Sequence, residues 1–215
     1  MKCDWSDIIP VGSPFTKKIM ATNPKDAPRH YYSLDEYFAL ENAGHVRYEY
    51  WDGDIVCMSG GSKEHTQIDG NVYHTLRLNL RSGSCRAFTS ELPVKTPTLI
   101  PYRYPDATVG CGELKFEHIR GVDALLNPTL IVEVLSPTSA MRDRNEKFTT
   151  YKAIESFREY LLIAQDAPNV THYVRQSDGR WESEVITDMR AEIVLSSVSC
   201  NLSMAEIYED VTFTT

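Results

Sequence analysis

Five apolar residues broken by a single carboxylate, Glu133, open the run LIVEVLSPTS at 130–139. The β-branched content and the Ser-Pro that closes it predict a buried strand. A carboxylate buried without a partner is costly, so Glu133 needs one. The partner is either a second acid that shares a cation with it, or an arginine or helix N-terminus in a purely structural role.

A different period marks the helices. Ile68, Val72, Leu76 and Leu80 recur at every fourth residue and predict a helix that Ser82-Gly83 stops, preceded by a loop at 59–62. His65 lies three residues before Ile68 and shares its inward stripe, and Asp69 lies four after His65. Ser33-Leu-Asp-Glu36 is a capping box before Tyr37, Phe38 and Leu40, with Gly44 as the stop; Ser203-Met-Ala-Glu206 repeats it for a last short helix. A further helix is expected over 143–156, where Asp143, Lys147 and Tyr151 are each four apart and share one face. On that face a surface ion pair with Asp143 is the alternative to a site role for Lys147, and Tyr151 would pack.

Strands fill the intervals. Asp52-Gly53 between 48–51 and 54–58 predicts a hairpin, and Ser177-Asp178-Gly179 between 170–175 and 181–187 a second. Strands are also expected at 85–89, 102–109, 160–164 and 191–195. Pro105 removes a backbone donor, so the second of these meets an end, an edge or a bulge beside Asp106. Residues 110–127 read as a loop or short turn, and 1–30, with Pro10, Pro14, Pro24 and Pro28, as an arm.

Composition narrows the class. At 215 residues, 42% hydrophobic and 24% charged, the chain suits one ordinary globular domain at 31–215 after the arm. Acids near the N-terminus stand where a signal peptide needs an apolar core, and no apolar run reaches the length of a membrane span. Cys3, Cys57, Cys85, Cys111 and Cys200 are scattered without a C-x-x-C, which points to reduced thiols in a cytoplasm and away from zinc or a disulfide framework. A net charge of −8 excludes a general nucleic-acid coat and requires any nucleic-acid reader to use a local basic patch. Arg142, Arg144, Lys147, Lys152 and Arg158 against Asp143, Glu146 and Glu155 make a modest basic excess, which a solvated helix face explains as well as a phosphate track does.

The strands bring in acids one at a time, Glu49, Asp106 and Glu133, and the following helix brings Lys147. Two or three hard oxygen ligands with open water positions suit Mg²⁺, with Mn²⁺ as a substitute. A lysine beside them would hold a hydroxide or a phosphoryl oxygen as a point charge. Such equipment serves phosphodiester hydrolysis. Each member also has a structural alternative. Asp106 can cap the turn after Pro105, and Glu49 can pair with Arg47 or serve as a hydrogen-bond acceptor. His65 can be a satisfied core histidine instead of lining a site.

In order, the chain shows Tyr-Glu49-Tyr-Trp-Asp-Gly, His65, Pro105-Asp106, Glu133-Val-Leu-Ser-Pro-Thr-Ser, Asp143-Arg-Asn-Glu-Lys147 with Tyr151, and Glu159-Tyr-Leu-Leu. From about residue 33 to the C-terminus this resembles the Uma2 family of restriction endonucleases, a branch of the PD-(D/E)XK nucleases. The resemblance implies an α/β (mixed α+β) fold with a central mixed β-sheet and flanking helices, like that of restriction endonucleases. It also implies a divalent-metal site acting on DNA. By it, Asp106 is the acid of the "PD" element and Glu133 that of the "(D/E)XK" element, with Glu49 and the Val134 carbonyl as further ligands. Leu135 stands where the superfamily has its lysine; the family pattern moves that lysine to the next helix, here Lys147. Enzymes that cut both strands often pair about a two-fold axis, so a homodimer is expected. A rival reading keeps the fold without the chemistry, as a module that binds nucleic acid or a protein partner.

Overall fold

The computed structural model describes residues 31–43, 47–51, 53–58, 61–98, 102–119, 121–136 and 143–213. The expected arm at 1–30, the helix stop at Gly44, Asp52 of the first turn and the Pro137-Thr138-Ser139 exit lie outside the described residues. The chain divides into two units, 1–60 and 61–215.

In the first unit α1 (Leu34–Ala43) starts at its expected capping box: the Ser33 amide donates to Glu36 Oε2 at 2.7 Å, and the Glu36 amide donates to Ser33 Oγ at 3.2 Å. The hairpin of β1 (Arg47–Trp51) and β2 (Asp54–Met58) follows, with Trp51 opposite Asp54. Gly53 takes φ +91°, and a Cβ there would lie 2.7 Å from the Tyr31 ring, so only glycine suits the turn.

The second unit opens with α2 (Lys63–Asn79), capped by Ser62. Its strands are β3 (Cys85–Thr89), β4 (Val94–Lys95), β5 (Tyr102–Arg103), β6 (Ala107–Cys111), β7 (Phe116–Ile119), β8 (Val122–Leu125) and β9 (Pro128–Leu135). After a π-helical turn, Asp143–Lys147, come α3 (Phe148–Lys152), β10 (Glu159–Ala164), β11 (Val170–Arg175), β12 (Trp181–Ile186), β13 (Glu192–Leu195), β14 (Cys200–Ser203) and α4 (Met204–Ile207). Six strands form the main sheet in the order β12-β11-β10-β9-β6-β3, with β9 and β10 parallel and the other neighbours antiparallel. A four-stranded sheet, β5-β4-β8-β7, and the β13-β14 hairpin complete the unit. This is a mixed α+β architecture. Among the described residues no helix is long and apolar enough to cross a membrane.

Strand β9 is central because both of its faces are covered. Leu130, Val132 and Val134 pack with Ile68, Val72 and Leu76 of α2, each of these side chains contributing roughly 1.5–3 kcal/mol on burial. Ile131 and Leu135 face the other way, into an aromatic cluster around Phe148, Tyr151, Phe157 and Tyr160. Phe148 stacks on Tyr160 at 5.1 Å between ring centroids. Glu133 belongs by alternation to this second face.

Several expectations are corrected. Residues 110–127 are no loop: they carry the end of β6 and the β7–β8 hairpin, turned at Gly121 with φ +87°. The strand expected over 102–109 breaks at 104–106, where Pro105 removes a donor. The helix expected over 143–156 begins as a π turn and ends at Lys152. The strand at 191–195 is followed by β14, paired with it around Ser199 at φ 54°. Cys85 and Cys111 stand opposite each other across β3 and β6 and form a disulfide, with Cα–Cα 3.9 Å, instead of remaining reduced thiols. Chain spacing carried no sign of this, since antiparallel register alone brings the two together.

Candidate active site

Pro105 ends the main-chain pairing between β6 and β9. The register stops at Ala107 opposite Val132, and one step further would set Asp106 across from Glu133. Beyond the paired stretch the Asp106 side chain takes the next bond from β9: the Val134 amide donates to Asp106 Oδ2 at 2.6 Å. Asp106 is thereby fixed at the end of its strand with Oδ1 directed elsewhere.

Oδ1 meets His65. The Ser62 cap accepts from the His65 amide at 3.1 Å, which sets the first turn of α2 so that the imidazole points along the inward stripe. His65 Nε2 lies 3.5 Å from Asp106 Oδ1. Burial disfavours the imidazolium, but the hydrogen bond and charge of Asp106, the charge of Asp69 and the Val134 backbone outweigh it and raise the His65 pKa. Asp69, one helical turn further on, has its carboxyl pushed up to about 6 by burial and then by the charge on Asp106, with His65 pulling the other way. Its Oδ1 is buried with no hydrogen-bond partner among the described residues.

On the neighbouring residue of β9, Glu133 is 3% exposed, and its carboxylate is held by two side chains from the segment after the strand. Lys147 Nζ donates to Oε1 at 3.1 Å and to Oε2 at 3.0 Å, and the Tyr151 hydroxyl donates to Oε1 at 2.9 Å. The π turn ends at Lys147 and α3 carries Tyr151 one α-turn later, so both converge on one carboxylate. Lys147 thus pairs with Glu133, and Tyr151, expected to pack, both packs and donates.

His65, Asp106 and the Val134 backbone therefore form one group; Glu133 and Lys147 form the adjoining one. Glu49 sits in the first unit, on β1, buried and accepting from Trp51 Nε1 at 3.1 Å. Asp69 and Tyr151 are the members without a site role expected from the sequence, Tyr151 being part of the family pattern but expected only to pack. The signal for Asp69 was its spacing from His65; for Tyr151, its spacing from Lys147.

Two carboxylates brought in on adjoining strands are the type of oxygen donor that suits a hard divalent cation. Among the described residues no three or more His, Cys, Asp or Glu side chains converge as a ligand cluster.

Comparison with known proteins agrees with this architecture. The chain is similar to "Uncharacterized protein slr1290" of Synechocystis sp. (strain ATCC 27184 / PCC 6803 / Kazusa), 29% identical over 90% of this chain and 100% of that protein. It is similar to "Uncharacterized protein sll1609" of the same organism, 33% identical over 75% of this chain and 90% of that protein. In fold it resembles the crystal structure of "a putative nuclease belonging to DUF820" from Anabaena variabilis ATCC 29413, with TM-score 0.64 and 21% identity over 84% of this chain and 99% of that one. The sequence model described as "Putative restriction endonuclease" matches residues 34–205, a range that includes Glu49, His65, Asp106, Glu133 and Lys147, and on that match the chain belongs to the Uma2 family.

Proposed function

We propose that this protein is a Mg²⁺-dependent endonuclease that hydrolyses DNA phosphodiester bonds, with Asp106 and Glu133 as the metal-holding acids and Lys147 as the cation that orients the attacking water. The observation that carries the reading is the position of Lys147. Leu135 occupies the place of the superfamily lysine, and an ammonium from the next helix reaches the Glu133 carboxylate at 3.0 Å instead. It stands on the face of β9 that Leu135 shares, the place from which a lysine at 135 would act.

Asp106 and Glu133, with the Val134 carbonyl, would hold the cation, and Glu49 is carried as a fourth ligand by the family pattern alone. A cation so held would supply charge neutralisation at the phosphate and lower the pKa of water. The chain's own groups do the rest. Lys147, held at the Glu133 carboxylate, would orient the attacking water as a point charge. Tyr151 keeps Glu133 Oε1 oriented by donating to it. His65 neutralises part of the Asp106 charge, and its raised pKa lets it donate a proton near neutrality. A homodimer would place two such sites for cutting both strands.

Plasmid nicking in Mg²⁺ tests this. Asp106→Ala and Glu133→Gln should each lower the rate by about 10²–10³ or more, the usual scale for removing a group that stabilises transition-state charge. Equal nicking by wild type and Asp106→Ala, or nicking undiminished in EDTA, overturns the assignment. A second reading is favoured by one specific fact: Glu133 already has Lys147 and Tyr151 as partners, as a structural acid would. On it the fold binds a nucleic acid or a protein without cutting. Calorimetry with Mn²⁺ separates the two, since only the metal site predicts a binding heat that Asp106→Ala abolishes.

A further inference from the structure

A polar groove of about 350 Å³ lies at the far end of the parallel pair from Glu133, lined by Glu155, Arg158, Arg175, Gln176, Ser177 and Gly179. The Arg158 amide donates to the Thr129 carbonyl at 2.9 Å, which places the groove at the N-terminal ends of β9 and β10. Alternation puts Arg158 on the face of Tyr160 and Leu162, and Arg175 on the face of Tyr173, the same α3 side that carries Glu133.

The two guanidinium groups are brought together by design of the backbone. Arg175 Nη1 donates to the Glu155 carbonyl at 3.2 Å, and Arg158 Nη1 donates to the same oxygen and to the Phe157 carbonyl at 3.1 Å. Their main chains are tied as well, the Arg175 amide donating to the Arg158 carbonyl at 2.8 Å. Neither guanidinium has a carboxylate within ion-pair distance among the described residues, whereas nearby Arg180 is 2.7 Å from Asp178 and Arg190 is 3.2 Å from Asp188. Two like charges anchored on one carbonyl, in a chain of net charge −8, repel each other until an anion enters. Carbonyl anchoring uses one nitrogen of each fork and leaves the others to meet oxygens in pairs, the geometry that matches a phosphate.

We propose that this groove is a phosphate-binding site that holds the sugar–phosphate backbone of a nucleic acid beside the candidate active site. The geometry stands by itself; the choice of nucleic acid as the source of the phosphate rests on the nuclease reading. Glu133 is three residues along β9 from Leu130, the partner of Glu159, or about 10 Å at ~3.3 Å per residue. That span is about three nucleotides of rise at ~3.4 Å each, so one strand can occupy both places.

The test is fluorescence anisotropy of a labelled DNA duplex with the full chain in EDTA, across a salt series. Arg158→Gln with Arg175→Gln should weaken binding about tenfold or more and flatten the slope of log K against log salt by about 1–2, since each phosphate contact contributes ~0.9. The double Lys variant, which keeps the charge and loses the fork, should keep the slope and lose part of the affinity. Glu133→Gln should bind as wild type does while failing to nick plasmid. If the Gln pair binds with wild-type affinity and slope, the groove assignment falls and the nuclease reading is untouched. If wild type binds through the groove and never nicks, the groove stands and the nuclease reading falls. Wild type that binds inorganic phosphate and no duplex overturns the backbone assignment in favour of a small anion.

Discussion

Gly61 decides where an imidazole can lie. A Cβ at that position would stand 2.9 Å from His65 Nδ1 and 3.0 Å from its Cγ, so the ring packs on bare backbone. Gly61, just ahead of α2, is therefore room for His65. Gly61→Ala should push the ring off Asp106, and because Asp106 is what raises the His65 pKa, that pKa should fall; NMR titration of the ring protons reads it directly. A pKa that stays raised would mean another group holds the charge. Tyr151 is a second single-residue device. Tyr151→Phe removes one donor from a buried carboxylate and should cost about 1.5–3 kcal/mol in urea unfolding, the scale of a hydrogen bond to a charged group.

At the scale of elements, the crossover from β9 through the π turn and α3 to β10 exists to bring Lys147 and Tyr151 back over Glu133. Lys147 is as buried as its partner, their side chains being 8% and 3% exposed. Lys147→Ala leaves an uncompensated buried carboxylate and should destabilise by ~3–5 kcal/mol, far above the ~0.3 kcal/mol expected of a surface pair with Asp143. Removing both charges by Glu133→Leu with Lys147→Met should restore much of that loss in the same denaturation series. A second buried pair links β10 to β11: His172 Nε2 lies 2.7 Å from Glu159 Oε2, and the Ser197 amide donates to Oε1 at 2.6 Å. Burial alone would raise the Glu159 carboxyl, but His172 and Ser197 outweigh it and hold it below its ordinary 4.5. A depressed pKa contributes stability that is complete above 4.5 and is lost as pH falls through the folded value. Thermal unfolding of Glu159→Gln should therefore show a shallower decline of Tm on acidification than wild type below about pH 4.5. Parallel curves would assign the acid sensitivity elsewhere.

For the whole molecule, the Cys85–Cys111 bond closes a loop that contains β4, β5 and Asp106. With the cysteines separated by 26 positions in sequence, loop closure is worth about 3.5 kcal/mol in the chain-entropy account. Reductant should lower unfolding stability by roughly that amount, and Cys85→Ser should abolish the reductant dependence. Thiol counting after denaturation must also show two fewer free thiols before reduction. Equal stability with and without reductant would mean that the cross-link constrains little.

Part of this architecture was legible along the chain, and the reason is local. Capping boxes at Ser33 and Ser203, the four-residue period of α2 and the Asp-Gly and Asp-Gly-like turns are interactions between residues close in sequence, so spacing alone specifies them. The β7–β8 hairpin was missed because its short strands alternate weakly, and the π turn was missed because four-residue spacing assumes an α-helix. By itself the sequence determined that Glu133 would lie in a buried strand, that Pro105 would interrupt the strand before Asp106, and that the pattern was that of Uma2. Only tertiary structure decided who meets whom. Asp106 took the Val134 amide and faced His65, Lys147 met Glu133, and Cys85 found Cys111. Those pairings depend on strand register and on the path of a crossover, which are set by the packing of the whole core and leave no mark in the spacing of the residues themselves.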